Sequence, residues 1–249
     1  MDNLTLKALY KQFIGHPEGN WIMIWENAQE LYKFVMENPV KRVLDLGTGI
    51  GCSAAIVALA FRDKEEDYHI DSIEQFDKCI KIAKELIPEE LLKNTTIHKI
   101  EPEVWIADEM PYTYFSVYKE LPSWDYDVIV NDGPSPWMEG QKYIDLPNGT
   151  IHKALVEGKL KEDTYVIWDG RISALRLLER FFGENFYLTK IARRPDGDFN
   201  VVQRKKGEFK VNDLRMEKAT EYGYFNPLKT ESEIKPQESL SPESPHPQK

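Results

Sequence analysis

One stretch constrains the fold more than any other: Val43-Leu44-Asp45-Leu46-Gly47-Thr48-Gly49-Ile50-Gly51-Cys52, preceded by Lys41 and Arg42 and followed by the small-residue run Ser53 to Ala60. Val43 to Leu46 is a short apolar run with one acid inside it, the pattern of a strand buried in a parallel sheet. The alternating glycines let the chain turn sharply and bring bare backbone against a ligand. A helix over about Ser53–Phe61 then aims its free amides and positive dipole end at the same point. Strand, glycine turn and helix in that order predict an α/β protein with a nucleotide-type binding loop.

Further strands carry acids toward the same crevice. Tyr68-His69-Ile70-Asp71-Ser72-Ile73-Glu74 alternates and ends in Glu74. A carboxylate at such a tip can accept hydrogen bonds from both hydroxyls of a ribose. Asp127-Val128-Ile129-Val130-Asn131-Asp132 is an apolar strand broken abruptly by Gly133-Pro134-Ser135-Pro136-Trp137, and Thr164 to Asp169 is another, followed by Gly170-Arg171. Ligands of open α/β sheets sit beyond the carboxyl ends of the strands, so Asp132 points toward the crevice of the Gly47 loop.

The dinucleotide fingerprint wants glycines at its first, third and sixth positions, and counting from Gly47 the sixth is Cys52, so that fingerprint fails. An acid two residues before the first glycine, with G-x-G-x-G spacing, instead resembles motif I of the class I S-adenosylmethionine-dependent methyltransferases. The likeness runs over about Lys41 to Lys206. It implies a Rossmann-like α/β fold: a doubly wound, mostly parallel seven-stranded sheet in the order 3-2-1-4-5-7-6 with an antiparallel last strand. Phe186 to Ala192 and Asn200 to Arg204, joined by a turn at Pro195-Asp196-Gly197-Asp198, match the last two strands of such a sheet.

The same resemblance implies S-adenosylmethionine as cofactor. Asp45, Leu46, Gly47, Thr48, Gly49 and Gly51 would then wrap its methionine half, with Asp45 near the amino group. Glu74, with Gln75, would take the ribose, and Glu101 or Glu103, between which the sequence does not choose, would flank the adenine. Asp132 falls at motif IV, beside the transferred methyl. Adenine and glutamine N-methyltransferases carry Asn-Pro-Pro-Tyr or a close variant there, whereas Asn131 is followed by Asp132 and Gly133, which disfavours that subclass.

A hydroxyl acceptor needs a base within hydrogen-bond reach. Asp132 is the first candidate, with His152, on a helix over about 148–157, and Asp169 after it. Asp132 and Asp169 together would suit Mg²⁺, as in the metal-dependent O-methyltransferases of the catechol and sugar types. The catechol type expects Asp-Asn after the fifth strand, but Asp169 is followed by Gly170 and Arg171, so no metal is assigned and helix capping is the plainer role for Asp169. The loop from Ser135 to Gly149 is longer than a connector needs, and such loops carry substrate contacts. Pro134, Trp137, Tyr143 and Arg171 are the candidate acceptor contacts.

A chain of 249 residues holds one α/β domain with a full core plus an extension. A formal charge of −10 argues against a phosphate-binding footprint, leaving Lys190, Arg193, Arg194, Arg204, Lys205 and Lys206 as the one candidate basic patch. Cys52 and Cys79 lack metal-type spacing and fit a reducing cytosol. Met1 to Lys11 lacks a signal-peptide core, and no apolar run nears membrane-spanning length, so the expectation is a cytoplasmic protein with no membrane partner.

Residues 1–40 predict helices over Leu4–Phe13 and Trp21–Met36, the second capped by Asn20, packed on the sheet or forming a lid. Trp105 to Trp124 reads as an aromatic-rich connection with room for a short helix. Residues 41–206 form the cofactor domain and 207–249 an extension, disordered after about 226, in which Met216, Tyr222, Tyr224 and Phe225 could dock. The functional expectation is methyl transfer to oxygen of a small molecule or glycan. The alternatives are an RNA or protein methyltransferase and a non-catalytic cofactor-binding scaffold of the same fold.

Overall fold

The computed structural model describes residues 4–107, 113–134, 146–192, 199–207 and 215–218. The strands are β1 (Arg42–Leu46), β2 (His69–Glu74), β3 (Thr95–Lys99), β4 (Pro102–Ala107), β5 (Thr113–Tyr118), β6 (Val128–Asn131), β7 (Tyr165–Asp169), β8 (Phe186–Ala192), β9 (Phe199–Arg204) and β10 (Met216–Lys218). The helices are α1 (Leu6–Ile14), α2 (Trp25–Glu37), α3 (Cys52–Lys64), α4 (Asp77–Leu86), α5 (Glu89–Leu92), α6 (Thr150–Val156) and α7 (Ile172–Phe182).

Seven strands form one sheet in the order β3-β2-β1-β6-β7-β9-β8. β1 pairs in parallel with β2 and β6, while β9 runs antiparallel between β7 and β8. The expected order and the antiparallel last strand are therefore present. Chain order reverses between β1 and β6, and this switch point is where the loops after parallel strands part and leave a crevice.

The core divides into two layers. Helices α1 to α5 cover one face and α6 and α7 the other. α3 is buried from Cys52 to Phe61, lying between the sheet and helices α1 and α2, which explains its small apolar residues and absence of a polar stripe. On the opposite face β4 and β5 pair antiparallel, and β10 adds to β4 to make a three-stranded sheet.

The structure corrects several local expectations. Thr113 to Tyr118, inside the aromatic connection, is strand rather than short helix, because its aromatic and β-branched residues suit a pleated surface. Met216 does dock, as the first residue of β10. α2 starts at Trp25 with Ile24 as its cap; Asn20 lies in a one-turn 3₁₀ helix, Gly19–Trp21. The turn at 195–198 and the tail beyond 218 lie outside the described residues.

Candidate functional site

The glycine loop crosses the loop after β6 at closest approach. Gly47 has φ +94°, and a Cβ there would come within 2.5 Å of the Gly133 amide nitrogen. A Cβ on Gly133 would in turn meet Gly47 Cα at 2.5 Å and the Tyr118 hydroxyl at 2.7 Å. Only two glycines let these backbones touch. The crossing is tied by the Asp132 and Gly133 amides, which both donate to the Leu46 carbonyl, and by the Gly47 and Thr48 amides, which both donate to the Ile73 carbonyl.

Asp45 works beneath this loop. It is fully buried, accepting from Ser53 Oγ at 2.8 Å and Ser72 Oγ at 2.6 Å, and Ser72 in turn shares a hydrogen bond with Thr48 Oγ1. The carboxylate thus links β1, β2, the glycine loop and the first turn of α3. Burial pushes its carboxyl up to about 6, against the pull of the two serine hydroxyls.

Glu74 closes the β2 side. Its Oε2 accepts from the Gly49 amide at 2.7 Å, and its Oε1 accepts from the Gln75 and Phe76 amides at 2.8 and 2.9 Å. A carboxylate offers about four acceptor positions, and the described residues occupy three of them. Burial raises the Glu74 carboxyl while these amides draw it back.

Asp132 and Arg171 close the β6–β7 side. Arg171 Nε donates to Asp132 Oδ1 at 2.8 Å and to the Asp132 carbonyl at 2.9 Å. Desolvation raises the Asp132 carboxyl and Arg171 lowers it. Asp169, at the tip of β7, accepts from Asn27 Nδ2 of α2 at 2.6 Å, and burial with the neighbouring Asp132 charge takes its carboxyl up to about 6.

Between these groups lies a cavity of about 360 Å³, within the size range of small-molecule sites, roughly 300–1,000 Å³. Gly47, Thr48, Gly49, Glu74, Asp132 and Arg171 all line it. Gly51, φ +97°, is the N-cap of α3 and packs against Ala83 and Ile87 rather than the cavity. Asp45 acts from behind the loop, and Leu46 is core. Gln75 is buried next to Glu74 and does not line the cavity. Pro134 is buried just past the crossing, and Trp137 and Tyr143 lie outside the described residues.

Two expectations are corrected. Glu101 is exposed, paired with Lys119 at 3.1 Å on a separate surface, because the chain leaves β3 into β4 rather than turning over the cavity; Glu103 accepts from Trp105 Nε1 there. His152 is fully buried on the α6 face, among Phe115, Trp168 and Phe182, and burial lowers its imidazole to about 4. It packs the core and does not line the cavity.

The pair Asp132 and Asp169 would have to share a metal, but Arg171 already supplies the positive charge beside Asp132 and Asn27 holds Asp169. Among the described residues no cluster of three or more His, Cys, Asp or Glu side chains forms a metal cage. Three members of the basic patch have partners within the fold: Arg204 is buried and donates to the Lys205 carbonyl, Lys205 donates to the Glu184 carbonyl, and Lys206 pairs with Asp163. Arg193 and Arg194 lie outside the described residues. No helix among the described residues is long and apolar enough to cross a membrane.

Sequence reasoning missed the wall given by the N-terminal segment, where Glu18, Ile22 and Met23 line the cavity, and Phe76 and Cys79, the N-cap and a first-turn residue of α4. It also missed Asn27, Ser53 and Ser72. Ser53 and Ser72 had a detectable signal, since both lie within three residues of a motif position; Asn27 and Glu18 had none.

No family model matches the chain. Among solved structures, the chain is similar to the O-methyltransferase TomG of Streptomyces achromogenes, involved in tomaymycin synthesis and solved with S-adenosylmethionine (TM-score 0.54, 12% identity, 83% of this chain and 92% of that one). It is similar to the Podospora anserina methyltransferase PaMTH1 bound to S-adenosylhomocysteine (TM-score 0.53, 14% identity, 81% and 88%). It is also similar to an O-methyltransferase of Bacillus cereus in complex with S-adenosylhomocysteine (TM-score 0.51, 14% identity, 80% and 90%).

Proposed function

From a chain with the fold of the class I S-adenosylmethionine-dependent methyltransferases, we propose an enzyme that uses S-adenosylmethionine to methylate an oxygen of a small-molecule or glycan acceptor. The observation that carries this reading is electrostatic. Glu74 and Asp132 line one crevice, Asp45 and Asp169 stand close behind it, and Arg171 is the one cation among its described lining residues. Such a crevice suits a ligand with sulfonium and ammonium charges and repels the diphosphate of a dinucleotide.

The chain's residues fit that cofactor. The Cβ direction of Gly49 is open for 4 Å, so bare backbone faces the cavity, and the described residues leave Glu74 an acceptor position for a ribose hydroxyl. Bound there, the cofactor would supply an activated methyl on sulfur. The chain's part is to align the acceptor oxygen and exclude water, effects worth about 7–11 kcal/mol of barrier when the geometry is right. Arg171 holds Asp132 Oδ1, which leaves Oδ2 to take the proton from an acceptor hydroxyl. Two of the similar solved structures are O-methyltransferases, which supports oxygen as the acceptor atom.

The test is calorimetric titration with S-adenosylhomocysteine. We expect micromolar binding by the parent and none by Gly49→Arg, which fills the open space, or by Glu74→Ala. A well-folded parent that does not bind overturns the proposal. Binding by the parent leads to acceptor screening with labelled methyl, run with and without Mg²⁺.

A further inference from the structure

The residue expected beside the base of the cofactor, Glu101, points elsewhere, and another carboxylate stands at that end of the cavity. The order of the lining groups follows the order of the strands. Arg171 comes from the β7 end and Asp132 from β6, the glycine loop follows β1, and Glu74 ends β2. Beyond Glu74 the lining continues with Phe76 and Cys79 at the start of α4 and with Glu18, which pairs with Lys78 of the same helix. Of these last groups only Glu18 carries a charge.

Glu18 is built into this position rather than left on a loose loop. A Cβ on Gly19 would lie 2.4 Å from the Phe13 carbonyl, so the chain doubles back on the end of α1 in a way that only glycine permits. The Gly19 amide donates to the His16 carbonyl, and the Glu18 amide donates to His16 Nδ1. Tyr10 of α1 donates to the Met23 carbonyl, and Gln12 donates to the Leu86 carbonyl at the end of α4. The turn is thereby fixed between α1 and α4, with Glu18 facing the cavity.

We propose that Glu18 reads the base of the cofactor, accepting a hydrogen bond from the exocyclic amine of adenine. The proposal rests on the cofactor reading above. With a ribose held at Glu74, Phe76, Cys79 and Glu18 are the lining groups that would meet the base. Lys78 engages one oxygen of the Glu18 carboxylate and leaves the other for the amine. A 6-oxo purine would turn an acceptor toward this carboxylate and be rejected.

The experiment compares S-adenosylhomocysteine with S-inosylhomocysteine, its 6-oxo counterpart, by calorimetry on the full chain. A hydrogen bond to a charged group at a half-open site corresponds to a preference of about tenfold for the adenine compound. Glu18→Gln, whose amide can donate to a 6-oxo group, should bring the ratio near one, and Lys78→Ala, which keeps the carboxylate, should preserve it. Equal binding of both compounds by the parent, or an unchanged ratio in Glu18→Gln, overturns the proposal and leaves the cofactor reading standing. A parent that binds neither overturns both. Equal weakening of both compounds in Glu18→Gln and Lys78→Ala would mark the ion pair as merely structural and also overturn it.

Discussion

Gly47 and Gly49 are both glycines at positive φ in one loop, yet their surroundings differ. Gly47 touches the Gly133 backbone, whereas Gly49 has nothing within 4 Å of its Cβ direction. Gly47→Ala should therefore lower stability by about 2–4 kcal/mol, combining the left-handed penalty with overpacking against backbone. Gly49→Ala should cost only the left-handed penalty, about 1–2 kcal/mol. Urea midpoints would check this, and equal losses would refute the close crossing. Asp169 offers a second residue-scale prediction. Its folded carboxyl sits at about 6, above its unfolded value, so it favours the folded state at low pH, and that stability is lost as pH rises from about 4 through 6. Asp169→Asn keeps an oxygen to accept from Asn27 but does not ionise. The variant should gain on the parent by about 1–3 kcal/mol between about pH 4.5 and pH 7.5, read as the change in their Tm difference.

At the scale of elements, two segments far from the glycine loop in sequence complete the fold and the cavity. The segment from α1 to α2 contributes Glu18 and Met23 to the wall and Asn27 to Asp169. β10 pairs with β4 on the other side of the main sheet, and the described residues that line the cavity come from other elements. Glu217→Pro, which removes a donor and disfavours the ladder, should raise hydrogen exchange in β4 while S-adenosylhomocysteine affinity stays as in the parent. Unchanged protection of Trp105 to Ala107 would show that the pairing contributes nothing to local stability.

Across the whole molecule, the pH response is a balance between groups buried in different layers. Asp45 and Asp169, both at about 6, favour folding in acid, whereas His152, held neutral down to about 4 in the opposite layer, acts the other way. Its contribution is full above the unfolded value of about 6.5 and is lost as pH falls toward the folded one. His152→Phe removes that loss, so its Tm relative to the parent should be higher at about pH 5 than at about pH 7.5. The packing change itself is independent of pH and cancels in the comparison. A constant difference would mean that His152 is not buried in neutral form.

The sequence by itself determined the elements whose signals are local. The apolar run, alternating glycines and small-residue helix from Val43 to Ala60 specified β1, the glycine loop and α3, and acids at strand tips marked Glu74, Asp132 and Asp169. Those tips lie at one edge of the sheet because parallel strands end there, and two of them, Glu74 and Asp132, line the cavity. Only the tertiary structure decided what distance in sequence conceals. It buried His152 in an aromatic core, turned Glu101 away with β4, and engaged Arg171 with Asp132. It also brought Glu18 and Asn27 to the opposite end and rear of the site. Periodicity reports which face of an element is apolar, but not which partner covers it. That choice belongs to packing among elements far apart in the chain, and it made a core histidine and a cavity-lining glutamate indistinguishable until the chain was folded.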